Sequence, residues 1–240
     1  MLKEAIILAG GLGTRLRKVA KDIPKPVVEI NGKPFLEYLL TLLLDQGIEK
    51  VILAVCYKHH VIKAYFGNFF NGLRLVYSIE DQPLGTGGAI KKSLPLVDSK
   101  DVFIVNGDTF FDISFKNLYL FHKEKNSLLS MALKPMKQFD RYGSVKIDEN
   151  NRIIGFEEKK YHREGLINGG IYILNKDFFK NLCLPRKFSF EKDFLEKYYK
   201  TYPIYGLEFY GYFIDIGTPK DYERFKEYVK TSQWERKENK

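Results

Sequence analysis

The chain is poor in cysteine, tryptophan and methionine, with two, one and three of them in 240 residues. Cys56 and Cys183 lie far apart among apolar or aromatic neighbours and form neither a disulfide framework nor a zinc-ligand spacing. Both are expected to be inert core thiols in a reducing compartment. Long apolar runs are also missing. Tyr38–Leu44 is interrupted by Thr41 and closed by Asp45, well short of the ~20 residues that cross a bilayer. The start, MLKEAIILAGG, has an apolar stretch too brief for a secretory signal. A cytoplasmic protein without a membrane partner is expected. Acidic residues are in deficit: 39 Lys and Arg against 30 Asp and Glu leave a formal charge of +9. That sign suits nucleic acid, anionic membranes or small phosphorylated ligands. The lysines are spread along the chain, however, and neither an RNP-like aromatic motif nor a helix-turn-helix pattern is present. Nucleic acid is therefore not an expected partner.

What is present is ordinary globular material, 45% hydrophobic and 29% charged, in a chain long enough to build a full core. Ala5–Leu8 reads as a buried strand running into glycines, Phe35–Gln46 as a helix stopped by Gly47, and Lys50–Cys56 as the next strand. Lys58–Phe66 is amphipathic, Leu73–Ile79 alternates like a strand, Gly88–Val97 is helical, and the strand Val102–Val105 leads into Asn106-Gly107-Asp108. Such alternation predicts an α/β fold with a doubly wound, mixed but mainly parallel, Rossmann-like sheet. Later strands are closer together: Ser130–Pro135, Gly143–Ile147 and Ile153–Glu157, with Asp148–Arg152 as a hairpin turn, then Gly170–Leu174 and Phe209–Ile214. Helices are expected at Phe188–Tyr199 and Pro219–Val229, and a frayed tail from Lys230. No linker or repeat interrupts the chain, so 1–240 is read as one domain with halves at about 1–110 and 111–229 and a tail at 230–240.

The strongest local signal is LAGGLGTRL, Leu8–Leu16, directly after the first strand. Its glycines let backbone N–H groups approach an anion, and Arg15 adds a fork of donors. A P-loop would need Gly-Lys-Ser/Thr where Gly13 is followed by Thr14-Arg15, and a dinucleotide fingerprint would need glycine in place of Leu16. Downstream, Pro24 and Pro26 flank Lys25, fix the backbone on both sides and aim the lysine. His59-His60 lacks a carboxylate at ligand spacing and reads as helix surface. The aromatic-rich stretch Tyr198–Phe213 could serve core, sugar stacking or a dimer contact, and the sequence does not choose.

GGLGTRL followed by PKP resembles the signature of the sugar-1-phosphate nucleotidylyltransferases, and the resemblance continues along nearly the whole chain. Gly85-Thr86-Gly87-Gly88 is similar to the family's second glycine stretch, which contacts base and ribose. Asn106-Gly107-Asp108 resembles its metal-binding strand end, and Asp215-Ile216-Gly217-Thr218-Pro219 its late aspartate motif. Tyr142-Gly143, Phe156–Lys159 and Asn168–Tyr172 resemble its acceptor-sugar motifs. The resemblance implies a GT-A-like nucleotidyltransferase fold with a nucleotide-binding half followed by a sugar-phosphate-binding half. It implies catalytic roles for Arg15 and Lys25, and nucleotide contacts from Leu8, Ala9, Gly10, Gly11, Gly13, Thr14, Glu80, Gly85, Thr86 and Asp108. Gly143, Glu158, Lys159 and Asn168 would hold the sugar phosphate, while Asp108 and Asp215 would carry Mg²⁺, a cation that takes oxygen ligands.

Glu80 stands where pyrimidine-using relatives generally carry glutamine. A carboxylate can only accept hydrogen bonds, so it matches the adjacent N1–H and N2–H₂ donors of guanine and opposes the carbonyls of uracil or thymine. GTP is the expected nucleotide. Length and motif wording most resemble the D-glycero-α-D-manno-heptose 1-phosphate guanylyltransferases, which feed GDP-heptose into capsule or surface-glycan assembly. The open alternatives are mannose 1-phosphate with GTP and N-acetylmuramate 1-phosphate with UTP. A homodimer is compatible with the sequence.

Overall fold

The computed structural model describes residues 1–11, 24–157 and 159–231. Strand β1 (Glu4–Leu8) is the centre of the first half. A two-strand ribbon of β2 (Glu29–Ile30) and β3 (Lys33–Pro34) precedes helix α1 (Phe35–Asp45), which ends at Gly47 with φ +79°. That left-handed residue lets the N–H groups of Gly47 and Ile48 reach the carbonyls of Leu44 and Leu43, so the predicted stop is a hydrogen-bonded cap. Next come β4 (Lys50–Val55), α2 (His59–Phe66), β5 (Phe69–Phe70), β6 (Leu73–Ile79), α3 (Gly85–Ser93), β7 (Asp101–Asn106) and β8 (Thr109–Phe111). The second half holds α4 (Phe115–Glu124), β9 (Leu129–Phe139), β10 (Ser144–Ile147), β11 (Ile153–Glu157), β12 (His162–Asn175) and α5 (Lys176–Lys180). A π-helical turn (Phe190–Leu195), α6 (Glu196–Tyr198), β13 (Ile204–Glu208), β14 (Phe213–Asp215) and α7 (Pro219–Thr231) complete it.

Among the described residues one ten-stranded sheet runs through both halves. Strands β7, β1, β4 and β6 are mutually parallel. Beyond β7 the sheet becomes mixed: β12 is antiparallel to β7, to β9 and to β10, and β13 joins β9 in parallel. The side-chain alternation of a strand sends successive residues to opposite faces. Ala5 and Ile7, Val51 and Leu53, Phe103 and Val105 therefore pack on one face with α1, α2, α4 and α7. Ile6, Ile52 and Ile104 pack on the other with α3, α5 and the π-helical turn. Fully buried runs of this kind are what a parallel sheet covered on both faces requires.

Several expectations are revised. Phe209–Ile214 is not one strand: β13 ends at Glu208 and β14 begins at Phe213, because the chain leaves β9 and pairs with β8 in a separate ribbon. The helix expected over Phe188–Tyr199 opens with the π-helical turn. Helices α4 and α5 were not among the expected elements; each has a side-chain cap, Ser114 Oγ accepting from Asn117 N and Asn175 Oδ1 from Phe178 N. Cys183 is exposed while Cys56 is partly buried; past α5, Leu182 and Leu184 turn inward and leave the intervening thiol outside. In the aromatic stretch, Phe209, Tyr212 and Phe213 pack against the core and Tyr210 is exposed. Helix α7 continues to Thr231, and the remainder of the expected tail lies outside the described residues. No helix among the described residues is long and apolar enough to cross a membrane.

Candidate active site

Parallel strands bring their C-terminal ends to one edge of the sheet, where α/β proteins collect their ligand sites. Here Leu8 stands in register with both Ala54 and Asn106, so β1, β4 and β7 end level. The chain then turns through tight backbone contacts, with Ala9 N donating to Ala54 O and Gly107 N to Leu8 O. A cavity of about 540 Å³ opens at this edge. Leu8, Gly10 and Gly11 line it from β1, Glu80 from the end of β6, Gly85 and Thr86 from α3, and Asn106 and Asp108 from the end of β7. Ala9 is buried beneath that lining.

The flanking prolines hold Lys25 as predicted. Lys25–Val27 forms a 3-10 turn with Pro26 inside it, and the Lys25 carbonyl accepts from Val28 N. The Lys25 ammonium donates to Asp108 Oδ2 at 2.5 Å and lies 3.6 Å from Asp215 Oδ1. The two aspartates meet because β14 pairs with β8, setting Asp215 opposite Thr109, and because Ile216 N donates to Asp108 O. Burial, then the charge of Asp108, pushes the Asp215 carboxyl above its ordinary value, against the opposing pull of Lys25. Two hard oxygen donors that repel each other and share one cation fit Mg²⁺, which commonly takes one or two protein carboxylates and completes its shell with phosphate and water.

Glu80 is buried, at 6% exposure, and its Oε2 accepts from Leu84 N at 2.8 Å. Burial raises its carboxyl above the ordinary value, with the Leu84 N–H opposing. It is therefore a wall of the cavity as well as a brace for the 80–84 turn. Thr86 is committed: its hydroxyl donates to Glu191 Oε2 at 3.0 Å and accepts from Phe190 N at 2.8 Å. Only a lone pair remains for a ligand. Gly87 and Gly88 serve the packing of α3, since their N–H groups donate to Phe188 O.

The expected acceptor residues are less concentrated. The Asn168 amide donates to Tyr172 Oη at 2.6 Å and accepts from Gly170 N at 2.9 Å, which fixes its orientation and leaves one N–H and one lone pair. Gly143 stands where a Cβ would come within 2.7 Å of Glu157 O, a close backbone approach at the start of β10. Lys159 is exposed and pairs with no described residue. Gly13, Thr14, Arg15 and Glu158 lie outside the described residues. Beside the site, burial and then the charge of Asp215 push the Tyr142 phenol up to about 12. Sequence reasoning missed Glu191, which also lines the cavity.

A sequence model of the family described as Nucleotidyl transferase matches residues 4–232. The chain belongs to this family. Among curated nucleotidyl transferases, it is 53% identical to a D-glycero-alpha-D-manno-heptose 1-phosphate guanylyltransferase of Campylobacter jejuni, over 92% of this chain and 98% of the relative. It is 51% identical to the enzyme of the same name from Aneurinibacillus thermoaerophilus, over 92% and 96%. The crystal structure of HddC from Yersinia pseudotuberculosis complexed with GMP-PN superposes with a TM-score of 0.84 at 38% identity, covering 94% of this chain and 99% of that one. The α/β architecture and the enzyme class expected from the motifs both stand.

Proposed function

We propose that the chain transfers GMP from GTP to D-glycero-α-D-manno-heptose 1-phosphate and releases pyrophosphate. The observation that carries the reading is Lys25 held between Asp108 and Asp215 at a strand-end cavity whose wall includes the buried carboxylate of Glu80. Heptose and guanine follow from the relatives that match over nearly their whole length. A solved relative complexed with GMP-PN adds to the case for guanine.

In the reaction, an oxygen of the sugar phosphate bonds to the α-phosphorus of GTP while the bond to the bridging oxygen breaks and pyrophosphate leaves. The nucleophile is already anionic, so no general base is required. Positioning and charge neutralisation are the protein's task. Lys25, with Arg15 from the glycine loop, would hold the triphosphate and stabilise charge on the leaving pyrophosphate. Glu80 would accept from N1–H and N2–H₂ of guanine with the lone pairs that Leu84 leaves free. Lys159 would pair with the sugar phosphate, and Glu158, Asn168 and the backbone at Gly143 would receive sugar hydroxyls. Asp108 and Asp215 would hold Mg²⁺, which supplies Lewis-acid neutralisation of the phosphates. On this reading residues 1–110 supply most of the nucleotide contacts and 111–229 the acceptor contacts, with Asp215 reaching back to the metal, in a cytoplasmic enzyme of surface-glycan assembly.

Pyrophosphate release over a matrix of four NTPs and heptose, mannose, glucose and N-acetylmuramate 1-phosphates tests the reading. GTP with the heptose phosphate is expected to give the highest kcat/KM. A preference for UTP would remove the role given to Glu80, and a preference for mannose 1-phosphate the role given to heptose.

A further inference from the structure

Glu191 reaches the cavity from a segment that no motif marks. Residues 186–190 lie flush on the start of α3, with Phe188 N donating to Leu84 O and Phe188 O accepting from Gly87 N and Gly88 N. Side chains on α3 would forbid this contact. A Cβ at Gly85, whose φ is +74°, would stand 2.5 Å from Phe188 O, and one at Gly88 would stand 2.5 Å from Arg186 O. The close approach delivers Glu191 to the cavity at the second position of the π-helical turn, a distortion that frequently accompanies functional sites.

Glu191 is not needed as a cap. Ser189 Oγ accepts from Lys192 N, and Asp193 Oδ2 accepts from Ser189 N, so the turn is already closed. The Glu191 carboxylate instead gathers hydroxyls: its Oε2 accepts from Thr86 Oγ1 at 3.0 Å and from Ser189 Oγ at 3.3 Å. Its charge also reaches the fully buried Tyr172 hydroxyl, where it is the next influence after burial. Holding Thr86 would not require a negative charge. Beside bound phosphates such a charge is unfavourable unless ligand donors face it, and with the guanine N–H groups assigned to Glu80 the neutral donors left in a nucleotide or a sugar are hydroxyls.

We propose that Glu191 is a substrate-binding residue whose carboxylate accepts hydrogen bonds from hydroxyls of a substrate in this cavity. The proposal rests on the nucleotidyl-transfer reading. Two sources share the chemistry, the ribose of the nucleotide and the acceptor sugar, and the assay separates them. Glu191→Ala and Glu191→Gln are compared with wild type for kcat and for KM of each substrate, using GTP and 2′-deoxy-GTP. Glu196→Gln, an exposed change nearby, is the control. Loss of a charge-assisted acceptor predicts about a 10- to 100-fold fall in kcat/KM for Glu191→Ala, with Glu191→Gln falling less. If the ribose is the donor, wild type discriminates against 2′-deoxy-GTP and Glu191→Ala does not. If the sugar is the donor, the discrimination persists and KM for the sugar phosphate rises. Both KM values within twofold of wild type with discrimination intact would overturn the proposal. So would an equal loss towards every substrate that tracks thermal instability. Wild type that turns over no pair would defeat the reaction itself. Calorimetric binding of GTP, 2′-deoxy-GTP and heptose 1-phosphate to wild type and Glu191→Ala then decides the Glu191 claim without turnover, affinities unchanged by the substitution for all three ligands overturning it.

Discussion

At the scale of single residues, the site places charges for chemistry at the expense of stability. Asp215 is buried, lies close to another carboxylate and carries a raised pKa. A carboxyl whose folded pKa exceeds its unfolded one destabilises the folded state wherever it is ionised, and protonation relieves that strain. Asp215→Asn, which preserves the acceptor for Gly217 N, should therefore raise Tm at neutral pH while lowering kcat/KM by two or more orders of magnitude. The gain in Tm should shrink as pH falls through the raised pKa. Differential scanning calorimetry across pH, beside the pyrophosphate assay, would show a fall in Tm at neutral pH if Asp215 is instead a structural anchor. Lys25 was legible in the sequence because prolines flank it, and Asp108 and Asp215 because their motifs resemble those of the family. Glu191 was not. Within the expected helix Phe188–Tyr199 nothing sets it apart, and only the fold shows it lining the cavity.

At the scale of elements, the glycines of α3 explain why a helix should begin with residues that disfavour helix. Gly88→Ala would set a Cβ 2.5 Å from Arg186 O and 2.8 Å from Leu84 Cβ. Overpacking of this kind costs about 1–3 kcal/mol, and it should displace Glu191 as well. Urea unfolding is expected to show that loss, with a fall in kcat/KM that stabilising osmolytes do not restore. Full activity in Gly88→Ala would separate the packing from the site. At the opposite end of β1, Glu4 accepts from Ser99 Oγ and the N–H groups of Ser99 and Asp98, and pairs with Lys50. Burial would raise its carboxyl, but the Ser99 and Asp98 hydrogen bonds and Lys50 outweigh it and bring the value down to about 2. A lowered folded pKa gives stability that is present above the ordinary value of 4.5 and lost as pH falls towards about 2. Glu4→Gln should accordingly be less stable than wild type at neutral pH, with the gap closing in acid, as equilibrium unfolding at several pH values would reveal. Elements with strong periodicity, such as α1 and β1, could be read directly. Strand β14 could not, because its partner β8 is distant in sequence and pairing sets its limits.

At the scale of the whole molecule, the alternation of strand and helix announced the parallel sheet, but the later mixed pairing depends on contacts between distant segments. Helix α7 illustrates this. Its fully buried Phe225 meets Phe35 and Tyr38 edge-on and packs on Phe110, tying the end of the described chain to α1 and β8. Phe225→Ala should destabilise by about 3–5 kcal/mol, read from the urea midpoint at unchanged m-value; a loss below about 1 kcal/mol would mean that α7 is peripheral. Strand β12 has a further consequence. One of its edges is hydrogen-bonded to β7 and the other to β9, so it splices the parallel and the mixed parts of the sheet. Continuous pairing of this kind opposes a swing between the halves and favours local movement at the strand-end rim.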